Sequence, residues 1–312
     1  MPKCNSGAII LLYHGVTSSP SFGIENFSAK HLPVKEFDLQ MGFLKQNTTI
    51  LTLRTLLEHL KREVPLAPNS VAITFDDSYK NIHDVVLPIL KRYRIPATFF
   101  ISTGFVGTKK MFWVDQVEHM INMSCRESIE LSLNSGLKRF SLRTPSEKIS
   151  TIIEIKAAAK QMSPHERNRT LISLQDCTGV KDNGDAVANY TNLTWDDVCE
   201  LDEPPFYEVG GHTVNHEIMS YLSEKQLRCE VRECKKTIEI HLGHTIDLFS
   251  YPEGQLDHFN ESVILELKQA GITICPSAVP GINRQGTDSF YLRRNMVGFM
   301  GNEFPFNDFS GN

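Results

Sequence analysis

Two pairs of residues in this chain have the types and spacing that metal-assisted hydrolysis needs. Asp76 and Asp77 are adjacent, and His212 and His216 stand four apart directly after Gly210-Gly211. Two imidazoles and one carboxylate suit a divalent cation of the zinc type and leave positions open for water and substrate. Such a cation lowers the pKa of its bound water and polarises a carbonyl. A second carboxylate beside it can take the water's proton as general base. Neighbouring residues at a strand end point in different directions, so one Asp can reach the metal while the other faces the water. The glycine pair lets the backbone bend close to a ligand. Each feature alone has a plainer reading, since a paired Asp after a strand often caps a helix and two such histidines often pack. The combination points to chemistry.

These residues need a scaffold that brings them to one rim. Short apolar or β-branched runs at 8–13, 71–75, 97–102, 207–211, 246–251, 272–275 and 290–297 read as strands. Helical patterns lie between them. Ile82, Val85, Val86, Ile89, Leu90 and Tyr93 share one face, with Pro88 inside the run expected to kink or shorten it. Ser223 and Gln226 form a capping box ahead of Leu227, Val231, Cys234, Ile238 and Leu242, and Gly243 is a stop. A third helix is expected over 260–270, closed by Gly271. This alternation predicts an α/β fold on a parallel sheet, open or closed as a barrel. Function in such folds collects at the carboxyl ends of the strands. His14, Asp76-Asp77, His212 and the Tyr251-Pro252-Glu253-Gly254 segment all stand there.

One stretch, about 108–190, interrupts the pattern and reads as a helical insertion in a single domain over 1–300. It carries Trp113, a Ser/Arg-rich middle, a helical stretch near 152–162 and a polar part over 180–189. Its first part, with Trp113 and Asp115, is expected to line the cleft, where an aromatic ring could stack on a substrate ring. Trp195, behind a Thr194 cap, reads as packing. An insertion of this size could form a lid or the contact of a homo-oligomer. Residues 301–312, polar and aromatic without period, are expected to be a loosely held tail.

Four segments resemble the polysaccharide deacetylases, also called family-4 carbohydrate esterases or the NodB-homology group. They are Val71-Ala-Ile-Thr-Phe-Asp-Asp-Ser78, Ile95-Pro-Ala-Thr-Phe-Phe-Ile101, Gly211-His-Thr-Val-Asn-His216 and Phe249-Ser-Tyr-Pro-Glu-Gly254. Leu11-Leu-Tyr-His-Gly-Val16 resembles the opening of the subgroup linked to extracellular-polysaccharide loci. The resemblance spans roughly 8–107 and 191–298. It implies a distorted (β/α)-barrel of about seven strands and hydrolysis of an N-acetyl group on an amino sugar. It further implies Asp76 as general base, Asp77, His212 and His216 as ligands of one divalent metal (Zn2+ first, with Co2+, Ni2+ or Mn2+ as alternatives), and a backbone N–H near Glu253 beside the oxyanion. Tyr251 and Pro252, from the same motif, would meet the substrate.

The sequence departs from that pattern in places. Ser78 stands where the family has Gly, and Glu253 where it has Tyr. The family's arginine that pairs with the catalytic Asp has no counterpart just before Tyr251. The usual Leu-x-His, which supplies the general acid, is replaced by Leu292-Arg-Arg-Asn295. His14 is the candidate acid in its place. Arg293 or Arg294, whose guanidinium stays charged, could orient Asp76 or grip an anionic substrate.

Composition sets the outer limits. In 312 residues, 41% hydrophobic and 22% charged is an ordinary globular balance, and a net charge of -5 gives no reason to bind nucleic acid. No apolar run is long enough to span a bilayer, and the N-terminus lacks the pattern of a signal peptide. The seven cysteines are scattered with no CxxC pair, which reads as reduced thiols in a cytoplasmic protein. On that footing the substrate would be a nucleotide-linked sugar, a lipid-linked sugar or a small glycoside. Lys80, Lys109, Lys110, Arg284, Arg293 and Arg294 could then meet a phosphate. Two other readings stand beside this one: an amidohydrolase acting on a small non-sugar amide, with the insertion as a lid, and a non-catalytic carbohydrate-binding protein on the same fold.

Overall fold

The structure, a computed structural model, describes residues 7–19, 21–62, 64–133, 136–180 and 187–306. The chain forms two compact units. The first comprises Met1–Ser18, Ser28–Thr108 and Asn192–Asn312; the second comprises Ser19–Phe27 and Lys109–Thr191.

Four parallel strands carry the first unit: β1 (Gly7–Tyr13), β2 (Ser70–Phe75), β3 (Ala97–Ile101) and β4 (Tyr207–Gly211). Nearly every residue in them is buried, the pattern of a parallel sheet covered on both faces. In register, Leu11 lies beside Ile73, Phe75 beside Phe99, and Phe99 beside Val209. Beyond β4 the ladder thins to single parallel bridges, Gly211 to Phe249 and Leu248 to Ile274. Bonds from Cys275 N to Ser289 O, Ser277 N to Leu292 O and Arg294 N to Val279 O carry the ring onward. Asn295–Met296 then pairs in parallel with β1, Leu11 beside Asn295, and closes a distorted barrel. The expected strands at 246–251, 272–275 and 290–297 thus survive only as fragments. Pro252, Pro276 and Pro280 have no N–H to donate on this side, so a regular ladder cannot form.

Alternate residues of the strands face inward and form one cluster: Ala8, Ile10, Ala72, Phe100, Leu248, Ile274 and Leu292. The helix Leu53–Lys61 supplies Leu53, Leu56, Leu57 and Leu60 to the same cluster, at i, i+3, i+4 and i+7. Burying each leucine stabilises the fold by about 1.5–3 kcal/mol. After β2 the chain takes a wide π-helical turn, Ile82–Val86, before the α-helix Leu87–Tyr93. Pro88 is accommodated at the start of the new helix, so the expected kink appears as a widened turn. The helix Glu224–Leu242 has the expected Ser223–Gln226 capping box, and Gly243 ends it at φ 75°.

The end of the first unit differs from expectation. Phe304 and Phe306 pack against Phe43, and Phe306 is buried, so the start of the tail is held down. Residues 307–312 lie outside the described part.

The second unit contains the helices Trp113–Met123, Pro145–Lys160 and Pro164–Thr178. Capping boxes at Thr144–Glu147 and Ser163–Glu166 open the latter two. It also holds an antiparallel hairpin, Ser128–Leu133 with Gly136–Ser141, so it is not purely helical. Ile129, Leu131 and Leu133 join Val117, Met120, Ile121, Ile152, Ile155 and Leu174 in a core of its own. Of the polar stretch expected over 180–189, residues 181–186 lie outside the described part. No helix among the described residues is long and apolar enough to cross a membrane.

Candidate active site

The carboxyl ends of the barrel strands deliver the candidate residues to one place. His14 follows β1, Asp76 and Asp77 follow β2, His212 follows β4, and Ser250 follows the bridged segment at 248–249. Asp77 Oδ1 lies 3.3 Å from His216 Nε2 and 3.8 Å from His212 Nε2. One ligand atom from each of these three residues falls within 4.8 Å of the others. The donors fit a divalent cation. Asp77 Oδ1 is fully buried and accepts no hydrogen bond from the described residues. His212 Nδ1 lies 2.9 Å from the Ser250 carbonyl oxygen, which can only accept. That bond fixes the proton on Nδ1 and leaves the Nε2 lone pair turned toward Asp77.

Asp76 has a different surrounding. Arg294 donates from Nη1 to Oδ1 and from Nη2 to Oδ2, both at 2.7 Å. The other donors of Arg294 go to Thr74 Oγ1, Ser250 Oγ and the Ser277 carbonyl, so all five N–H bonds of this fully buried guanidinium have acceptors. Ser250 Oγ in turn donates to Asp76 Oδ2 at 3.3 Å. Burial by itself would raise the Asp76 pKa, but the charges of Arg294 and His212 and the Arg294 hydrogen bonds outweigh it and hold the carboxyl below its ordinary value. Asp77 goes the other way. Burial pushes it up against the pull of His14, Lys30 and His212. Two adjacent carboxylates are therefore driven apart, one kept ionised by an arginine and one left open to a cation.

His14 is half-buried, with its Nδ1 enclosed and without a hydrogen-bond partner among the described residues. Burial holds its pKa below the ordinary histidine value, more than the charges of Asp77 and Asp76 raise it. Backbone strain gathers here as well. Asp77 (φ 74°), Thr213 (φ 64°) and His216 (φ 56°) are left-handed. Each such non-glycine residue costs about 1–3 kcal/mol and persists only where its surroundings over-determine it. Glu253 is also left-handed (φ 59°), at the centre of a tight turn in which Gly254 N donates to Pro252 O at 2.6 Å.

Several expected roles do not survive. Tyr251 is fully buried, stacked on Phe259 at 4.1 Å, and its hydroxyl donates to the Phe290 carbonyl, so its side chain packs in the interior. Pro252 is buried as well. Trp113 sits in the core of the second unit with the Arg167 guanidinium 5.2 Å from its ring centroid, and offers no free face to a sugar. Of the two arginines expected to orient Asp76 or grip an anion, Arg294 is buried and takes the first role, whereas Arg293 is exposed and donates to the Pro280 carbonyl. The Gly210-Gly211 pair answers to packing between strands. A Cβ on Gly211 would lie 2.5 Å from the Phe249 ring, and one on Gly210 would lie 2.8 Å from the Leu248 carbonyl. Sequence reasoning missed Ser250, Thr74 and the Ser277 carbonyl, and no motif could have marked a carbonyl.

A family model of polysaccharide deacetylases matches residues 63–131 and 177–275. The chain belongs to the polysaccharide deacetylase family. The match takes in Asp76, Asp77, His212, His216 and Ser250, while His14 and Arg294 fall outside it. Among curated relatives, the poly-beta-1,6-N-acetyl-D-glucosamine N-deacetylase of Staphylococcus aureus is 31% identical over 151 residues, 45% of this chain and 48% of the relative. That of Staphylococcus epidermidis is 29% identical over the same length and coverage. The chain thus spans about half the length of the curated relatives it matches. Its fold is similar to that of the Streptococcus pyogenes deacetylase PplD in complex with acetate (TM-score 0.60, 17% identity, 95% of this chain and 94% of that one). It is also similar to IcaB from Ammonifex degensii (TM-score 0.59, 18% identity, 94% and 92%). These family folds bear out the (β/α)-barrel expected from the sequence.

Proposed function

We propose that this polysaccharide deacetylase removes N-acetyl groups from an amino sugar, with a divalent metal held by Asp77, His212 and His216. The observation that carries the reading is the pairing of that open ligand set with an ionised, arginine-held Asp76. A metal bound there, most suitably Zn2+, would polarise the acetyl carbonyl and acidify a water. Asp76 is the general base, kept charged by Arg294 and aimed by the two hydrogen bonds of the guanidinium fork. Its ionised state at neutral pH lets it accept the proton of the attacking water. His212 keeps its Nε2 free through the Ser250 carbonyl, and Ser250 also ties Asp76 to the same arginine. His14 is the acid that protonates the departing amine, since an amine leaves poorly without a proton. A backbone N–H near Glu253 stands in the motif position for the oxyanion.

The acetylated sugar is proposed by analogy. The relatives are named for poly-beta-1,6-N-acetyl-D-glucosamine, which makes that polymer the first substrate to assay. Nucleotide-linked, lipid-linked and small N-acetylated glycosides belong beside it, because each presents the same N-acetyl amide to the site. Acetate release from this panel by zinc-loaded protein tests the reading. Release from at least one N-acetylated sugar and from no simple amide supports it. Release from simple amides alone would make the protein an amidohydrolase, and tight sugar binding without release would make it a binding protein.

A further inference from the structure

The backbone joining the two histidine ligands is held from outside the site. Thr213 and His216 are both left-handed, with Val214 and Asn215 between them. The carbonyls of this loop are met from the end of β3, where Thr103 N donates to Thr213 O at 3.2 Å and Gly104 N to Val214 O at 2.8 Å. The fit is close, since a Cβ on Gly104 would lie 2.6 Å from Val214 O. The N–H groups converge on one side chain. Glu230, on the helix Glu224–Leu242, accepts from Val214 N and Asn215 N on Oε2, both at 2.8 Å. Its Oε1 accepts from Asn215 Nδ2 at 2.6 Å.

Glu230 is only 8% exposed, and three donors meet its two oxygens. The helix that carries it is fixed. Cys234, one turn further on the same face, is buried with its Sγ 3.1 Å from where a Gly211 Cβ would stand. We propose that Glu230 is a positioning residue of the metal site. Its carboxylate sets the path from His212 to His216 and thereby the affinity for the metal. This rests on the proposed metal role of Asp77, His212 and His216. Glutamine has one acceptor oxygen and an NH2 group, so it cannot satisfy the three donors together.

Cobalt(II) titration of the metal-free protein, followed by its visible absorption, tests this directly. Glu230→Ala and Glu230→Gln are compared with wild type and with Glu233→Gln, an exposed carboxylate on the same helix. Circular dichroism confirms that each metal-free variant is folded at the titration temperature. We expect Co2+ affinity to fall about 10–100-fold in Glu230→Ala and about tenfold in Glu230→Gln, with an altered visible band, and Glu233→Gln to match wild type. A folded Glu230 variant with wild-type affinity and spectrum overturns the proposal. Should Glu230→Ala not fold, the Glu230→Gln result decides. Failure of the wild type to bind Co2+, or equal binding after Asp77→Asn, removes the metal reading itself and this proposal with it.

Discussion

Arg294 grips both carboxylate oxygens of Asp76 from a position 218 residues away in the chain. The barrel closes between them, so the base acquires its partner only when the last fragment pairs with β1. The arginine that the family motif places before Tyr251 is thus supplied from the other side of the ring, and Ser250 occupies the vacated position.

Replacing Arg294 with Met should therefore leave a buried, unpaired carboxylate. Breaking such a pair costs about 3–5 kcal/mol, and chemical denaturation measures it. The pH effect has a definite sign. Asp76 lies below its ordinary pKa in the fold, so its ionised form stabilises the protein above the unfolded value, and that contribution is lost as pH falls through the folded value. In Arg294→Met the acid limb of the activity profile should move to higher pH, because the base then ionises later. An unmoved acid limb would mean that Arg294 does not govern Asp76.

His14→Ala separates the acid from the rest of the site. General acid catalysis contributes about 10²–10⁴-fold, and an amine needs it far more than a phenolate does. Release of acetate from an N-acetylated sugar should fall by that factor. Hydrolysis of an aryl acetate should change little, and bound metal should remain at the wild-type level. Equal losses on both substrates would assign His14 to some other task.

Metal binding should register as stability. Metal at about 1,000 times its Kd adds about 4.1 kcal/mol to a fold that alone binds it. A chelator should lower the melting temperature of the wild type and leave that of His212→Ala unmoved. Identical shifts in both proteins would place the metal elsewhere.

The scaffold makes its own prediction. Leu56 is fully buried in the cluster beneath the barrel, and Leu56→Ala should cost about 2–5 kcal/mol in denaturant unfolding. Activity measured well below the transition should survive, since Leu56 belongs to the cluster of Ala8, Ile10 and Ala72 and not to the ligand set.

What could be read in advance followed from local rules. Carboxylates and imidazoles directly after apolar runs marked the rim, and the Ser223–Gln226 box marked its helix, because both signals lie within a few residues. Closure of the barrel was harder to see. Arg293 and Arg294 are adjacent and chemically alike, and only pairing of 295–296 with β1 puts one inside and the other in solvent. Tyr251 looked like a substrate contact because motif spacing does not reveal which face a ring takes. The hairpin over 128–141 did leave a trace, the alternation of Ile129, Leu131 and Leu133 with polar residues. Trp113 misled because its chemistry suits sugar stacking, while the core that buries it is assembled from distant helices.

The most direct test of the account pairs bound metal with acetate release in Asp76→Asn and Asp77→Asn, measured on the best N-acetylated substrate of the panel. The account predicts that Asp76→Asn retains a full equivalent of metal and releases no acetate, while Asp77→Asn loses both. Acetate release by Asp76→Asn at the wild-type rate, or full metal retention and activity in Asp77→Asn, would contradict it.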